Sequence, residues 1–192
     1  MKKLILTTAA AVAMFVAQAQ TTNWNLDKSH SSVKFAVEHL VISTVEGSFK
    51  TFNSTVSTTS PTNFEGATIN FTIDVNTVNT DDEKRDGHLK TADFFDVAKF
   101  GSIAFKGATM KKTTGNNYKL TGELTMHGVT KTVTFDVKFN GLAKDPWGNQ
   151  KAGFKITSTI NRKDFGVGES TPGAIVSEEV TITTNLELVQ AK

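Results

Sequence analysis

The side chains that could do chemistry in this sequence are four histidines, one aspartate and one arginine: His30, His39, His88, His127, Asp86 and Arg162. A metal centre needs ligands at constrained spacing, such as histidines four residues apart on a helix, and this spacing does not occur. A hydrolase needs a nucleophile, a base and an orienting acid, and no serine lies in the glycine pattern of a nucleophile elbow. The sequence therefore predicts no metal site, no catalytic residue, no enzyme and no cofactor.

Several of these residues lie in or near the one stretch that does not look like a β-strand, about residues 80–96. Thr80 and Glu83 have the spacing of a capping box, which predicts a short helix starting at Thr80. On that helix Arg85 can pair with a carboxylate while Leu89 points inward. The adjacent rings of Phe94 and Phe95 cannot face the same way on a helix, so we expect one ring to pack on the barrel wall and the other to reach a cavity mouth. The segment is either a solvated cover or a gate for a ligand.

The rest of the chain alternates apolar and polar residues with the period of two that indicates strands with one buried face. Residues 69–75 are the clearest example, and residues 45–56 are predicted to form one strand with a bulge. Short turns rich in Gly and Asn, such as residues 115–117, separate successive strands. The pattern predicts an all-β protein of about eight or nine strands in an antiparallel up-and-down meander.

Closure of this sheet decides where its apolar face is buried. A flat sheet would expose that face and two edges, both of which promote aggregation, so a closed barrel is favoured. The interior of an eight-stranded barrel is either filled by side chains or able to hold one small ligand. Inward phenylalanines mixed with the small Gly47 and Gly122 allow a cavity, while composition alone also allows a sandwich with a dry core.

Residues 1–19 have the features of a secretory signal peptide: Lys2 and Lys3, an apolar run over 4–16, and the small residues Ala17 and Ala19. We expect cleavage near Ala19, one domain over residues 20–192, and a periplasmic or secreted location. No later segment has the roughly 18 to 20 apolar residues of a membrane-spanning helix, so no stable membrane insertion is expected. Without Lys2 and Lys3, the 21 basic residues become 19 and equal the 19 acidic ones, which argues against nucleic-acid binding.

Six motifs follow one another along the mature chain and together resemble the YceI-like, polyisoprenoid-binding family. They are Asp27-x-x-His30-Ser31, Val33-x-Phe35-x-Val37-x-His39, Val45-x-Gly47-x-Phe49, Arg85-Asp86-x-His88-Leu89 with Asp93-Phe94-Phe95, Gly122-x-Leu124-Thr125-x-His127-Gly128-Val129-Thr130, and Asn161-Arg162-x-Asp164-Phe165-Gly166-Val167. The resemblance implies an extended, lipocalin-like antiparallel barrel in a secreted or periplasmic protein. It also implies an apolar tunnel that takes an isoprenoid or a similar lipid, such as a quinone-like molecule.

A hydrocarbon tail needs an apolar lining, and seven inward residues are predicted to supply it, with ordinary core packing as the alternative for each. Burial of about 20 methylenes gains on the order of 16 kcal/mol, against an association cost of about 4 to 15 kcal/mol. The predicted lining residues are Phe35, Val37, Phe71, Ile73, Leu124, Phe135 and Phe139.

Charged groups beside an apolar opening must be paired, so five polar residues are expected to tie the helical insertion to the barrel rim, with head-group contact as a further role. They are His39, Arg85, Asp86, His88 and Arg162. The first hypothesis is a protein that carries, stores or sequesters a lipid. A ligand-free structural or stress-response domain and a lipid-modifying enzyme are the alternatives, and a homodimer is left open.

Overall fold

The computed structural model describes residues 21–192, so the predicted signal peptide lies outside the described residues. The described chain forms eleven strands and one α-helix, with short 3₁₀ turns at Lys28–His30, Val75–Thr77 and Arg162–Phe165. The elements are β1 (Thr22–Leu26), β2 (Ser32–His39), β3 (Ser43–Phe49), β4 (Phe52–Thr58), β5 (Thr68–Asp74), β6 (Val78–Asn79), α1 (Glu83–Leu89), β7 (Ser102–Lys112), β8 (Asn117–Met126), β9 (Val129–Lys144), β10 (Gln150–Asn161) and β11 (Glu179–Gln190).

All neighbouring strands are antiparallel, and the sheet closes on itself through β11. The second half of β11 pairs with β1, with Leu188 opposite Leu26, and its first half pairs with β2, with Ile182 opposite Phe35. Strands β1 and β2 are therefore two parts of one barrel strand, and the same holds for β3 with β4 and for β5 with β6. The structure confirms the predicted eight-stranded antiparallel barrel and rules out the sandwich.

Residues 45–56 belong to one barrel strand, as predicted, but the irregularity in it is a break between β3 and β4 and not a bulge. The break is held by Thr77, whose carbonyl oxygen accepts a hydrogen bond from the Lys50 N–H at 3.2 Å. The Thr77 hydroxyl accepts a second one from the Thr51 N–H at 3.0 Å. The turn at Val75–Thr77 interrupts the neighbouring strand between β5 and β6 at the same level. The two breaks allow the barrel wall to bend there, as closure of a strongly coiled sheet requires.

The up-and-down order of the strands gives the barrel two distinct ends. At one end, called the α1 end, lie the β2–β3 turn at residues 40–42, the segment that contains α1, the β8–β9 turn and the loop over residues 166–178. At the other end, called the far end, lie the β4–β5 loop at residues 59–67 and the turns at residues 113–116 and 145–149.

Inward side chains follow the predicted alternation most clearly on β8, where Tyr118, Leu120, Leu124 and Met126 are buried and the residues between them face outward. Gly122 completes this inward row because β7 comes too close for a side chain. A Cβ there would lie 2.8 Å from both Cα and Cβ of Ala108. None of the helices in residues 21–192 has both the length and the apolar character needed to cross a membrane.

Candidate functional site: an apolar cavity with a polar rim

The barrel encloses a cavity of about 480 Å³. Side chains from all eight barrel strands and from α1 line it, and most of them are aliphatic or aromatic. The lining residues that carry polar side chains are Lys34, His39, Thr80, Arg85, His88, Arg162, Thr171 and Thr184. Most of these lie at the α1 end, so the cavity has an apolar body and a polar rim at one end.

The structure brings together six of the seven residues that were predicted to line the tunnel. These are Phe35, Val37, Phe71, Ile73, Leu124 and Phe135. The seventh, Phe139, is absent from the lining and packs at the far end. Its ring centroid lies 5.3 Å from that of Phe64 and 5.2 Å from that of Phe154. Strand alternation correctly predicted that Phe139 points inward. Its position along the barrel axis depends on the rings packed around it, which alternation does not describe.

Phe64 closes the far end of the cavity, and sequence reasoning missed it. This residue lies in the β4–β5 loop, is fully buried, and lines the cavity floor. Its ring packs against Trp24 at 5.1 Å and edge-on against Phe154 at 4.8 Å between ring centroids. The only signal in the sequence was a single large apolar residue in a turn-forming stretch, because loop residues carry no strand alternation. The predicted tunnel is therefore a cavity with a closed aromatic floor.

The helix at the opposite end begins two residues later than predicted, so the Thr80 capping box is wrong. The N-cap is Asp82, whose Oδ1 accepts hydrogen bonds from the backbone N–H groups of Lys84 and Arg85, both at 3.0 Å. The N–H of Arg85 is the main cause that lowers the pKa of Asp82. The helix ends at Leu89, which lines the cavity as expected.

Thr80 does not cap the helix because its backbone and hydroxyl groups form hydrogen bonds with the side chains of Asp86 and Arg85. The buried Asp86 carboxylate accepts hydrogen bonds from the Thr80 N–H at 2.8 Å and from the Thr80 hydroxyl at 2.6 Å. Arg85 donates from Nε to the Thr80 hydroxyl at 2.8 Å and from Nη2 to the Thr80 carbonyl at 2.7 Å. These four bonds hold α1 against the chain that leaves β6.

The expectation that one of the Phe94 and Phe95 rings packs on the barrel wall and only the other reaches the cavity is wrong, since both rings line the cavity. Adjacent side chains diverge on a helix, whereas residues 91–99 form a series of turns in which adjacent side chains can converge. Phe95 packs edge-on against Phe49, with ring centroids 6.0 Å apart. Phe94 packs edge-on against His88 at 5.1 Å, and His88 Nε2 lies 3.2 Å from Asp93 Oδ2.

Arg162 is buried at the α1 end, and its guanidinium organises the loop that follows it. All five of its N–H groups are used by backbone carbonyls, so none remains for a ligand. Burial lowers the pKa of Arg162, although the carbonyl dipoles that surround the guanidinium favour its charged form. The acceptors are the carbonyls of Val167, Gly168, Thr171, Val176 and Ser177.

His39, the remaining predicted rim residue, lies at the end of β2 and forms an isolated bridge with Val176 of the same loop. The histidine therefore links the β2–β3 hairpin to the loop organised by Arg162. Both His39 and Val176 line the cavity. The five predicted rim residues thus lie at one end of the barrel, where they connect three separate segments around the opening.

Outside the cavity, Asp27, His30 and Glu187 form a group whose ligand atoms could hold a metal ion. Lys151 already supplies a cation there, with Nζ 2.6 Å from Asp27 Oδ2 and 3.0 Å from Glu187 Oε1. The hydrogen bond from Lys151 is the main reason that the pKa of Asp27 lies far below its usual range. These residues form an ion-pair cluster. It links the segment between β1 and β2, which contains Asp27, to Lys151 on β10 and Glu187 on β11.

Comparison with known proteins gives the same architecture. The YceI-like domain matches residues 24–188. A protein YceI from Salmonella newport is 37% identical over 193 residues, which covers 100% of this chain and 99% of the relative. The crystal structure of the Campylobacter jejuni YCEI protein is 34% identical and superposes with a TM-score of 0.72 over 87% of this chain and 97% of that one.

A more distant structure shares the fold. A polyisoprenoid binding domain from Saccharophagus degradans superposes with a TM-score of 0.65 at 17% identity, covering 88% of this chain and 98% of that domain. The match to the YceI-like domain covers most of the chain, and the Salmonella relative is similar over its whole length. On this evidence of sequence and fold, the chain belongs to the YceI-like family.

Proposed function

We propose that this protein binds the hydrocarbon tail of an isoprenoid or a similar long-chain lipid inside the barrel. The observation that carries the proposal is the size and apolar character of the cavity. Empty apolar volume costs about 24 cal/mol per Å³, so a dry cavity of this size would cost on the order of 10 kcal/mol. That cost is comparable with the whole stability of a typical domain, about 5 to 15 kcal/mol, and a hydrocarbon tail removes it.

The volume also sets the length of tail that fits. A methylene occupies about the 30 Å³ that one water molecule takes in the liquid, so the cavity holds on the order of 16 such groups. At roughly 0.8 kcal/mol for each methylene, their burial supplies about 13 kcal/mol against an association cost of about 4 to 15 kcal/mol. A tail of about three isoprene units that ends at Phe64 is the natural occupant.

The polar rim fixes the direction of the lipid, with the head group at the α1 end. Arg85 is the best placed rim residue for it. Its Nε and Nη2 are held by Thr80, whereas Nη1 lies 3.9 Å from Asp82 Oδ2, beyond hydrogen-bond range. Nη1 can therefore donate to a carbonyl or phosphate oxygen at the mouth. The polyisoprenoid-binding neighbour supports this class of ligand.

The proposed setting is the periplasm or the medium outside the cell, where the protein carries or stores its lipid. The basic start, apolar run and small-residue site of residues 1–19 support export. A lipid tail must be shielded from water while it is away from a membrane, and a barrel that buries the tail meets this need.

The test is mass spectrometry of an organic extract of the purified protein, with lipid measured per mole of protein. Wild-type protein should yield one main long-chain lipid. Leu124→Trp enlarges a buried lining side chain and should reduce the lipid several-fold. Glu123→Trp places the same ring on the outer face of β8 and should leave it unchanged. An extract without lipid, together with no uptake of added farnesol or geranylgeraniol, would refute the proposal.

A further inference from the structure

The β2–β3 turn exposes an unusual group of apolar side chains at the α1 end. Val41 is 77% and Ile42 84% exposed, and Leu40 is also exposed. The Leu40 N–H donates to the carbonyl of Ile175 at 3.0 Å, which brings the exposed Ile175 beside the turn. These four residues, Leu40, Val41, Ile42 and Ile175, are called the mouth patch.

The backbone of the turn is also in an unfavourable conformation. Leu40 and Val41 have φ values of 52° and 61°, and the Ile42 N–H donates to the His39 carbonyl at 3.2 Å. Two consecutive positive φ values characterise a type I′ turn, for which Asn and Gly are strongly preferred. A β-branched residue such as Val41 is a clear outlier there, and such outliers point to function.

Other turns of the barrel follow the preference that this one breaks. Gly115, Gly128 and Gly148 occupy positive φ positions in the other hairpin turns. Among residues 21–192, the remaining non-glycine residues with positive φ are polar: Asp81, Asp96 and His127. The turn at the mouth thus combines a strained backbone with exposed apolar side chains. The strain marks the turn as a candidate functional feature, and the side chains are stabilised if an apolar environment receives them.

The mouth patch is continuous with the cavity. Ile175 belongs to both, and His39 and Val176, which adjoin the patch, also line the cavity. Below the turn, Val37 and Val45 face each other across the hairpin and continue the apolar lining inward. An unbroken apolar path therefore runs from the tip of the hairpin to the interior of the barrel.

We propose that the mouth patch docks on a lipid bilayer by inserting the β2–β3 turn among the acyl chains. This proposal rests on the proposed function, because a lipid tail could then move between bilayer and cavity without crossing water. Exposed apolar residues at the tip of a rigid hairpin suit shallow insertion at the membrane interface. The hairpin carries Glu38 beside the tip and Glu46 further along β3, and no basic residue lies in the turn, so attraction to acidic head groups contributes little and neutral bilayers suffice.

The experiment measures flotation of the full protein with phosphatidylcholine vesicles on a density gradient. Wild-type protein should float with the vesicles, and 1 M NaCl should leave the bound fraction unchanged. The double variant Leu40→Asn/Val41→Gly supplies the preferred residues of the turn, so it should keep or raise Tm while binding falls at least tenfold. Trp147→Ser is the matched control, because Trp147 is 83% exposed at the far end, and its binding should equal that of wild type.

Besides a failure of the wild type to float, three results would overturn the docking proposal. They are undiminished flotation of the turn variant, loss of flotation in Trp147→Ser, or a wild-type dimer that the turn variant converts to monomer, which would assign the patch to a second copy of the chain. Lipid extraction separates this proposal from the proposed function. Protein that yields lipid but does not float refutes docking alone, whereas protein that neither yields lipid nor takes up added farnesol or geranylgeraniol refutes the proposed function.

Discussion

The contact between Gly47 and Phe35 offers a direct way to perturb the cavity from its wall. The two residues face each other across β2 and β3, and the ring of Phe35 lies over the glycine. A Cβ at position 47 would lie 2.2 Å from Cζ of Phe35, whereas ordinary contact begins at 3.4 Å. In Gly47→Ala the ring must therefore move by about 1.2 Å, the difference between these distances, and the cavity that it lines offers the space.

The magnitude follows from this overlap. Overpacking of this kind costs about 1 to 3 kcal/mol, and in a chain of this size each kcal/mol lowers Tm by about 2 to 4 °C. Gly47 does not have a positive φ, so the backbone accepts alanine and the cost comes from the ring alone. We expect Gly47→Ala to remain folded, to melt several degrees lower, and to hold less lipid because the displaced ring narrows the cavity.

A double-mutant cycle with Phe35→Leu isolates this effect. The smaller leucine should relieve the overlap, so Phe35→Leu/Gly47→Ala should be more stable than the sum of the two single effects predicts, by at least about 1 kcal/mol. Calorimetry supplies the stabilities, and mass spectrometry of extracts supplies the lipid content. If the two stability changes are additive and Gly47→Ala holds as much lipid as the wild type, the position of the Phe35 ring does not depend on Gly47.

Three further changes have defined outcomes. Arg162→Lys leaves at least two buried carbonyls without a donor, since lysine has three N–H groups, so we expect a loss of about 2 to 4 kcal/mol and faster amide exchange over residues 166–178. Ser54→Ala removes the one buried side-chain polar atom among the described residues that has no partner, and should stabilise the fold by about 1 kcal/mol in denaturant titration. Asp27→Asn should cost about 1 to 2 kcal/mol at pH 7 through its pair with Lys151. Folding lowers the pKa of Asp27, so this stabilisation is complete above about pH 4 and declines as the pH falls further.

Each of these three predictions can be contradicted by a specific result. Arg162→Lys should leave exchange in β8 unchanged, and uniform loss of protection would show that the arginine does not act on its loop. A destabilised Ser54→Ala would mean that the hydroxyl has a partner, such as a water. A difference between wild type and Asp27→Asn that persists unchanged down to pH 2 would exclude the ionised carboxylate as its source.

Local sequence patterns were sufficient for the barrel wall but less so for the ends. Alternation identified the inward rows of β5 and β8, because a strand has the same period whatever it packs against. The helix was found, but its first residue was misplaced, since Thr80 and Glu83 have the spacing of a capping box although Asp82 caps the helix. Which residue caps the helix depends on Asp86 and Arg85, because both form hydrogen bonds with the Thr80 hydroxyl once α1 has packed.

The sequence by itself determined the family, the antiparallel strands and the inward direction of six residues that line the cavity, and it favoured a closed barrel over a sandwich without deciding between them. Only the tertiary structure decided that the cavity is closed at the far end by Phe64, that both Phe94 and Phe95 reach it, and that Arg162 is fully engaged by its own loop. The physical reason is the range of the interactions. Strand alternation is a property of neighbouring residues, whereas the floor and rim of a cavity are set by contacts between loops that no local period describes.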